Sequence, residues 1–310
     1  MPRSRTYFLL ACLALIWGLH WPLTKIALRD WPSFTYGAMR IAAGLATVLA
    51  VQAARGQLKR PDRRDWSILI SVGLGQMAGL IVFMNLALPQ IAAGRSSILA
   101  YTTPLWVAVI QIAAMRGVAN ARQLVGLLAG LLGIGLLMNP MAIDWRSSGQ
   151  VVGSAELIGS ALISAVTTIH IRHHKWHSTP MDLEPWQLMV ALVPVAIAAI
   201  AFDTGKPIHL NPVSIGLVFY SGVLATAIAY WLSQSIARSL TPLATAMGFL
   251  AVPVVGLLSS SALLGEPLTL LDLTGFVTTI AGILIVSLAP EREAPAASTA
   301  ELALEAELNG

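Results

Sequence analysis

Residues 124–138 read LVGLLAGLLGIGLLM, and 149 positions later residues 273–287 read LTGFVTTIAGILIVS. Neither stretch carries a charge, and each belongs to an apolar block long enough to cross a bilayer, which takes about 20 residues as a helix. Gly126 in the first answers to Gly275 in the second, and Gly133 to Gly282. Matched small residues on two such blocks predict an all-α membrane protein built on an internal repeat. Extended outward, the same shift lays 73–137 on 222–286 without a gap: Gly73 meets Gly222, Pro104 meets Pro253, and Asn85 meets Gln234. A shift of 147 lays Ala14-Leu15-Ile16 on Ala161-Leu162-Ile163 and Lys25 on Arg172. Identity is low in such apolar sequence, so the weight lies on the matched Pro and Gly positions and on the order of the blocks.

Composition agrees. Of 310 residues 56% are apolar and 11% charged, and mean hydropathy is +0.74. A soluble domain carries roughly a quarter charged residues, so this chain lacks the material for a water-facing surface. A membrane β-barrel would show roughly ten-residue segments of alternating polarity, and none is present. The single Cys12 excludes a disulfide framework. Arg3 and Arg5 precede the first block as in a secretory signal, but no small-residue cleavage site follows, so it reads as a retained helix.

Spans are expected near 7–28, 33–54, 66–88, 92–115, 122–141, 153–174, 184–203, 211–235, 241–264 and 270–289. That gives ten transmembrane helices in two five-helix repeats, 7–141 and 153–289, followed by a solvated tail, 290–310. Five spans per copy is an odd number, so the second copy is expected inverted about a central cavity. Of the Lys and Arg in the loops and at span ends, which are all but Arg40, thirteen (Arg3, Arg5, Arg55, Lys59, Arg60, Arg63, Arg64, Arg116, Arg122, Arg172, Lys175, Arg238, Arg292) fall on one side and five (Lys25, Arg29, Arg95, Arg146, Lys206) on the other. The positive-inside rule then puts both termini in the cytoplasm. The net charge of +4 is explained by these loops, and no nucleic-acid partner is expected.

Trp17-Gly18 in the first span, Arg40 in the second, Tyr101-Thr102-Thr103-Pro104 in the fourth, and Leu264-Gly265-Glu266-Pro267 followed by Gly275 and Gly282 resemble the pattern of the drug/metabolite transporter superfamily. The likeness covers residues 7–289 as two EamA-type units. In one departure, Arg116-Gly117 stands where the family places Gly-Glu, so the acidic loop mark survives only at Glu266. The resemblance implies export of small solutes across the bacterial inner membrane, with amino acids, including aromatic ones, the expected substrates. Drugs and nucleobases are the alternative, and a monomer is the expected unit. It also implies that Arg40 is a structural or gating residue.

The expected substrate contacts are aromatic and amide side chains converging on the cavity. In the first span Trp17, His20, Trp21 and Thr24 share a face; in the third Gln76, Leu80, Phe83 and Met84 do. Tyr101, Thr103 and Trp106 surround Pro104, and Tyr230 adds a ring from the eighth span. Asn85, Gln234, Thr167 and Thr168 add polar groups that either meet substrate or hydrogen-bond between helices. Pro104 and Pro253 are expected to bend their helices, with Gly79 and Gly248 as flexible points. Arg40, inside the second span, either holds backbone carbonyls, reaches towards water, or attracts a substrate carboxylate. Every Asp and Glu falls in a loop, at a span end or in the tail, so an exchanger or facilitator without a buried carboxylate relay is expected, and His20 is the candidate proton site. The run His170-Ile171-Arg172-His173-His174-Lys175-Trp176-His177 has metal-like spacing, but no Cys or acid is expected to complete the set, so it reads as a cationic anchor where the sixth span meets the cytoplasm. No metal site or cofactor is expected. An intramembrane enzyme would need a nucleophile with its base, and no such motif is present. A non-transporting scaffold would have no use for the repeat.

Overall fold

The computed structural model describes residues 3–114, 121–138, 148–237 and 249–288. Its contiguous helical stretches are α1 (Arg3–Ala27), α2 (Ser33–Ala54), α3 (Arg63–Ala87), α4 (Ala93–Ala100 and Thr103–Ala114), α5 (Ala121–Met138), α6 (Ser148–His173), α7 (Pro180–Asp203), α8 (Pro212–Phe219, Tyr220–Ile228 and Ala229–Ala237), α9 (Ala251–Leu264) and α10 (Leu270–Ser287). Among the described residues all regular structure is helical. Seven of these stretches are long and apolar enough to cross a membrane, namely α1 to α4 and α6 to α8. The other three, α5, α9 and α10, are shorter apolar helices. All three border residues outside the description, as does the expected span 241–264 before residue 249. The tail, 290–310, also lies outside it.

The helices start and stop where local chemistry dictates. Thr179 and Asp182 form a reciprocal capping box at the head of α7, with Pro180 at its first position. Asn211 and Ser214 do the same for α8, again with a proline next. Gly265 ends α9 in the left-handed conformation at φ 65°, which a side chain would disfavour. Both α3 and α8 contain a π-helical stretch, Val72–Gly79 and Tyr220–Ile228, at positions related by the 149-residue shift.

Packing follows the same offsets. α5 lies along α10 in the most extensive helix contact of the described structure. Gly133 faces Gly275 while Gly282 faces Gly126 and Gly130, so matched residues exchange places across the seam. In α3 a methyl at Gly73 would stand 2.8 Å from the Gln187 carbonyl of α7 and close to Val190. In α8 a methyl at Gly222 would stand 2.8 Å from the Arg40 carbonyl of α2 and close to Ala43. Residues 187 and 190 follow 40 and 43 by 147 positions. α2 and α7 also pack on each other.

Gly282→Ala should be destabilising, because its Cβ would collide with the Gly130 backbone. Overpacking of this kind costs about 1–3 kcal/mol. Gly135→Ala should be neutral or stabilising by about 0.5–1 kcal/mol, since nothing lies within 4 Å of the added methyl. Thermal unfolding in detergent distinguishes the two, and equal effects would contradict the seam described here.

Candidate functional site

A cluster of polar and aromatic side chains occupies the junction of α1, α2 and the π-helical stretch of α8. A π-helical stretch disturbs the regular backbone ladder, and such stretches are frequent at functional sites. Three side chains serve backbone carbonyls here. Trp17 Nε1 donates to the Ala225 carbonyl at 3.0 Å, Thr226 Oγ1 to the Ser221 carbonyl at 2.8 Å, and the Tyr220 hydroxyl to the Ile16 carbonyl at 2.7 Å.

Arg40 is buried beside them and donates from Nε to Thr226 Oγ1 at 3.0 Å. Among the described residues the other groups in its electrostatic reach are Tyr36, Tyr230 and His20, none of them a carboxylate. Tyr36 hydrogen-bonds Ser221 hydroxyl to hydroxyl. The buried His20 ring lies 3.3 Å from Thr24 Oγ1 and 3.5 Å from Ser221 Oγ, stacked over Tyr220 with centroids 6.4 Å apart. Trp17 makes edge contacts with Tyr230 and Phe249 at 6.1 and 5.8 Å. The structure therefore brings together four of the sequence candidates: Trp17, His20, Arg40 and Tyr230.

The remaining candidates lie elsewhere. Trp21 and Met84 are buried in one apolar cluster, with Leu80 and Tyr101 packed against it. Asn85 ties α3 to the head of α2, its Nδ2 donating to the Ser33 carbonyl at 2.9 Å while Ser33 Oγ returns to the Asn85 carbonyl. Gln76 Nε2 meets Thr168 Oγ1 at 3.4 Å, and Thr167 and Thr168 each donate to the carbonyl one turn back. Trp106 Nε1 donates to Thr102 Oγ1 at 3.2 Å, and Thr103 to the Ala100 carbonyl at 3.3 Å. Phe83 is half-buried, and Gly79 ends the π-helical stretch of α3. Gly248 and the Gln234 side chain lie outside the described residues.

α4 is interrupted at Tyr101-Thr102, in the turn before Pro104, where a proline ring clashes with the preceding turn. Pro253 lies in the first turn of Ala251–Leu264, and the residues before 249 lie outside the description. Two expectations need correction. The histidine run is a clasp between helices rather than a lipid anchor, because an acid distant in sequence completes it. Asp65, fully buried, accepts from His174 Nε2 at 2.9 Å, His177 N at 3.1 Å and Ser178 N at 2.6 Å. Among the described residues no set of three such side chains converges as a metal site. Last, the acids are not confined to solvated ends. Because α7 begins at Pro180, Glu184 lies inside the helix, 5% exposed, with Oε1 buried and without a hydrogen-bond partner. Tyr36, Ser221, Thr226 and Glu184 were the residues that sequence reasoning missed. Thr179-x-x-Asp182, read as a capping box, would have placed Glu184 within the helix.

Both ends of the bundle are tied between distant parts of the chain. At the end carrying Lys25, Glu266 accepts from Lys25 Nζ at 3.0 Å and from the Ala93 and Gly94 amides at 2.8 and 3.1 Å. Beside it Arg95 pairs with Asp272 at 3.0 Å. Asp203 caps the head of α2 through Thr35 N and Oγ1, and Asn211 reaches Asp30 at 3.0 Å. At the opposite end the Asp65 clasp is joined by Gln52 Nε2, which donates to the Met181 carbonyl at 2.8 Å, and Trp186 Nε1, which donates to the Lys59 carbonyl at 2.9 Å.

Comparison with known proteins agrees with this architecture. Residues 4–139 and 152–288 each match the model of the EamA-like transporter family. An uncharacterized transporter of Bacillus subtilis, YoaV, is 22% identical over 275 residues, 87% of this chain and 92% of that one. A probable amino-acid metabolite efflux pump of Escherichia coli is 25% identical over 298 residues, 91% of this chain and 95% of that one. A pump of the same description from Salmonella typhimurium is 24% identical over 293 residues, covering 90% and 93%. A crystal structure of another protein superposes with TM-score 0.62 at 18% identity, covering 92% of this chain and 97% of that one, which shows a shared fold.

Thr226→Ala should destabilise the protein by about 1–3 kcal/mol, because it removes the hydroxyl that accepts from the buried Arg40 Nε. Thr226→Ser, which keeps the hydroxyl, should recover most of that. Thermal unfolding of the two variants decides it; equal loss in both would assign the effect to the methyl group instead.

Proposed function

This chain belongs to the EamA-like transporter family, and from that membership we propose that it exports amino acids by alternating access. It is a multi-pass membrane transporter rather than an enzyme. Arg40 carries the substrate reading: a buried guanidinium with only neutral groups in reach, beside the aromatic rings of Trp17 and Tyr230. A guanidinium matches a carboxylate in charge and geometry, and two distant relatives are described as amino-acid metabolite efflux pumps.

The working parts are two inverted five-helix repeats, 7–141 and 153–289, enclosing a central cavity. Their support is the pair of family matches, the paired π-helical stretches and the exchanged glycine contacts. Trp17, His20, Arg40 and Tyr230 hold the substrate, with Gln76, Phe83, Thr103, Trp106, Thr167 and Gln234 as further cavity residues. Leu80, Met84, Trp21, Tyr101 and Asn85 form its supporting wall. Gly79 and Gly248 absorb the bending. The charge count of the loops supports a bacterial inner-membrane location with both termini cytoplasmic, which makes the Lys25 end the outer one.

In proteoliposomes the wild-type protein should exchange labelled phenylalanine saturably, and phenethylamine, which lacks the carboxylate, should neither compete nor move. Arg40→Gln should raise the half-saturating concentration roughly 10- to 100-fold, the equivalent of one charge-assisted hydrogen bond. Equal transport of the amine would favour broad drug efflux. In a Cys12→Ser background, K25C/E266C bridged by a short thiol-reactive linker should abolish exchange by pinning the outer end shut. Undiminished flux through the bridged protein would refute alternating access at that end.

A further inference from the structure

Glu184 has no role in the site described above. It lies on α7 one turn from the Asp65 clasp end, 5% exposed, and its Oε1 is buried with no hydrogen-bond partner. The elements packed against α7 are α2, the Trp66–Gly79 part of α3, and the Ala229–Ala237 part of α8. Their titratable groups are Tyr36 and Arg40 on α2, none within Trp66–Gly79, and Tyr230 on α8. Among the described residues Tyr230 lies within electrostatic reach of the carboxyl, and no ion pair reaches it. Tyr230 in turn lies within reach of Arg40 and touches Trp17. Glu184 therefore lies one turn inside α7 near one end of the bundle, with Tyr230 of the polar cluster in its electrostatic reach.

A buried carboxylate without a cation or a hydrogen-bond donor is costly, whereas a neutral carboxyl is tolerated. An ionisable side chain kept in such a place within a membrane helix marks an ion or proton pathway. We infer that Glu184 is a proton-binding site of this transporter, neutral in the closed packing seen here and ionised when that end of α7 opens to water. Binding forms an O–H bond on the carboxyl, and release returns the proton to water, so no other reactant is needed. The coupling of this proton to solute movement rests on the transport reading above; the protonation itself does not. On the orientation proposed here the site faces the cytoplasm, so a proton entering from outside leaves there as solute is exported.

The test uses the full-length protein in phosphatidylcholine bilayers. Infrared difference spectra at neutral pH should show a carboxylic-acid carbonyl band in the wild type that is absent from Glu184→Gln and shifted in Glu184→Asp. An identical spectrum in wild type and Glu184→Gln overturns the site. Because Glu184→Gln is nearly isosteric, its thermal unfolding should match the wild type at neutral pH. If it does not fold, loss of the wild-type band at alkaline pH together with its shift in Glu184→Asp decides instead, and a band unmoved by both overturns the site. In proteoliposomes, acidifying the outside by one pH unit should speed efflux of labelled phenylalanine by up to roughly tenfold in the wild type and not at all in Glu184→Gln. Gradient-insensitive wild-type efflux overturns the coupling. A wild type that shows the infrared band yet moves no phenylalanine upholds the proton site and instead removes the amino-acid reading.

Discussion

In a hydrocarbon solvent every backbone donor and acceptor must find its partner within the protein, and the rest of this structure answers to that constraint. Regular helix meets it without help, which is why most of the chain reads as featureless apolar sequence. Around the π-helical stretch of α8 side chains add to the backbone ladder: Trp17 and Thr226 donate to carbonyls within it, and Tyr220 to the Ile16 carbonyl of α1. These side chains hold α1, α2 and α8 in register, and Arg40 is placed by the same threonine. The polar cluster thus arises from a departure in backbone geometry as much as from the side chains that fill it.

Charge obeys a related rule. Glu266, Asp203 and Asp65 each accept backbone amides as well as a side-chain donor, so each carboxylate does the work of a helix or loop cap and of an ion pair or hydrogen-bond tie. All three join segments far apart in the chain. They tie the connections at the two ends of the bundle, while the spans between them pack largely through apolar side chains and glycines, with the polar cluster beside α8 as the exception. Glu184 differs from those three carboxylates in keeping a buried carboxyl oxygen, Oε1, without a hydrogen-bond donor.

Hydropathy marked the helices well because burying apolar residues in lipid leaves little room for other patterns. Matched Gly126/Gly275 and Gly133/Gly282 were legible for the same reason: only small residues permit the backbone approach found between α5 and α10. The site was less legible. Trp17, His20 and Arg40 stood out as rare residue types, but Tyr36, Ser221 and Thr226 are ordinary letters whose importance comes from the π-helical geometry beside them. Glu184 was hidden by a boundary set four residues late, and the His174–Asp65 pair by a separation of 109 positions. Periodicity reports which face of a helix is apolar, and it carries no information on which distant carbonyl a hydroxyl will reach.

The seam between α5 and α10 has a mechanical meaning. Backbone meets backbone at Gly133 with Gly275 and at Gly282 with Gly126 and Gly130, while the Thr279 and Leu137 side chains lodge beside Gly133 and Gly275. The same notch and knob recur between α1 and α9, where Gly18 lies under Val255, and between α2 and α8, where Gly44 lies under Thr226. Each notch fixes one register, as a detent does, so helices that slide past one another here must move in discrete steps.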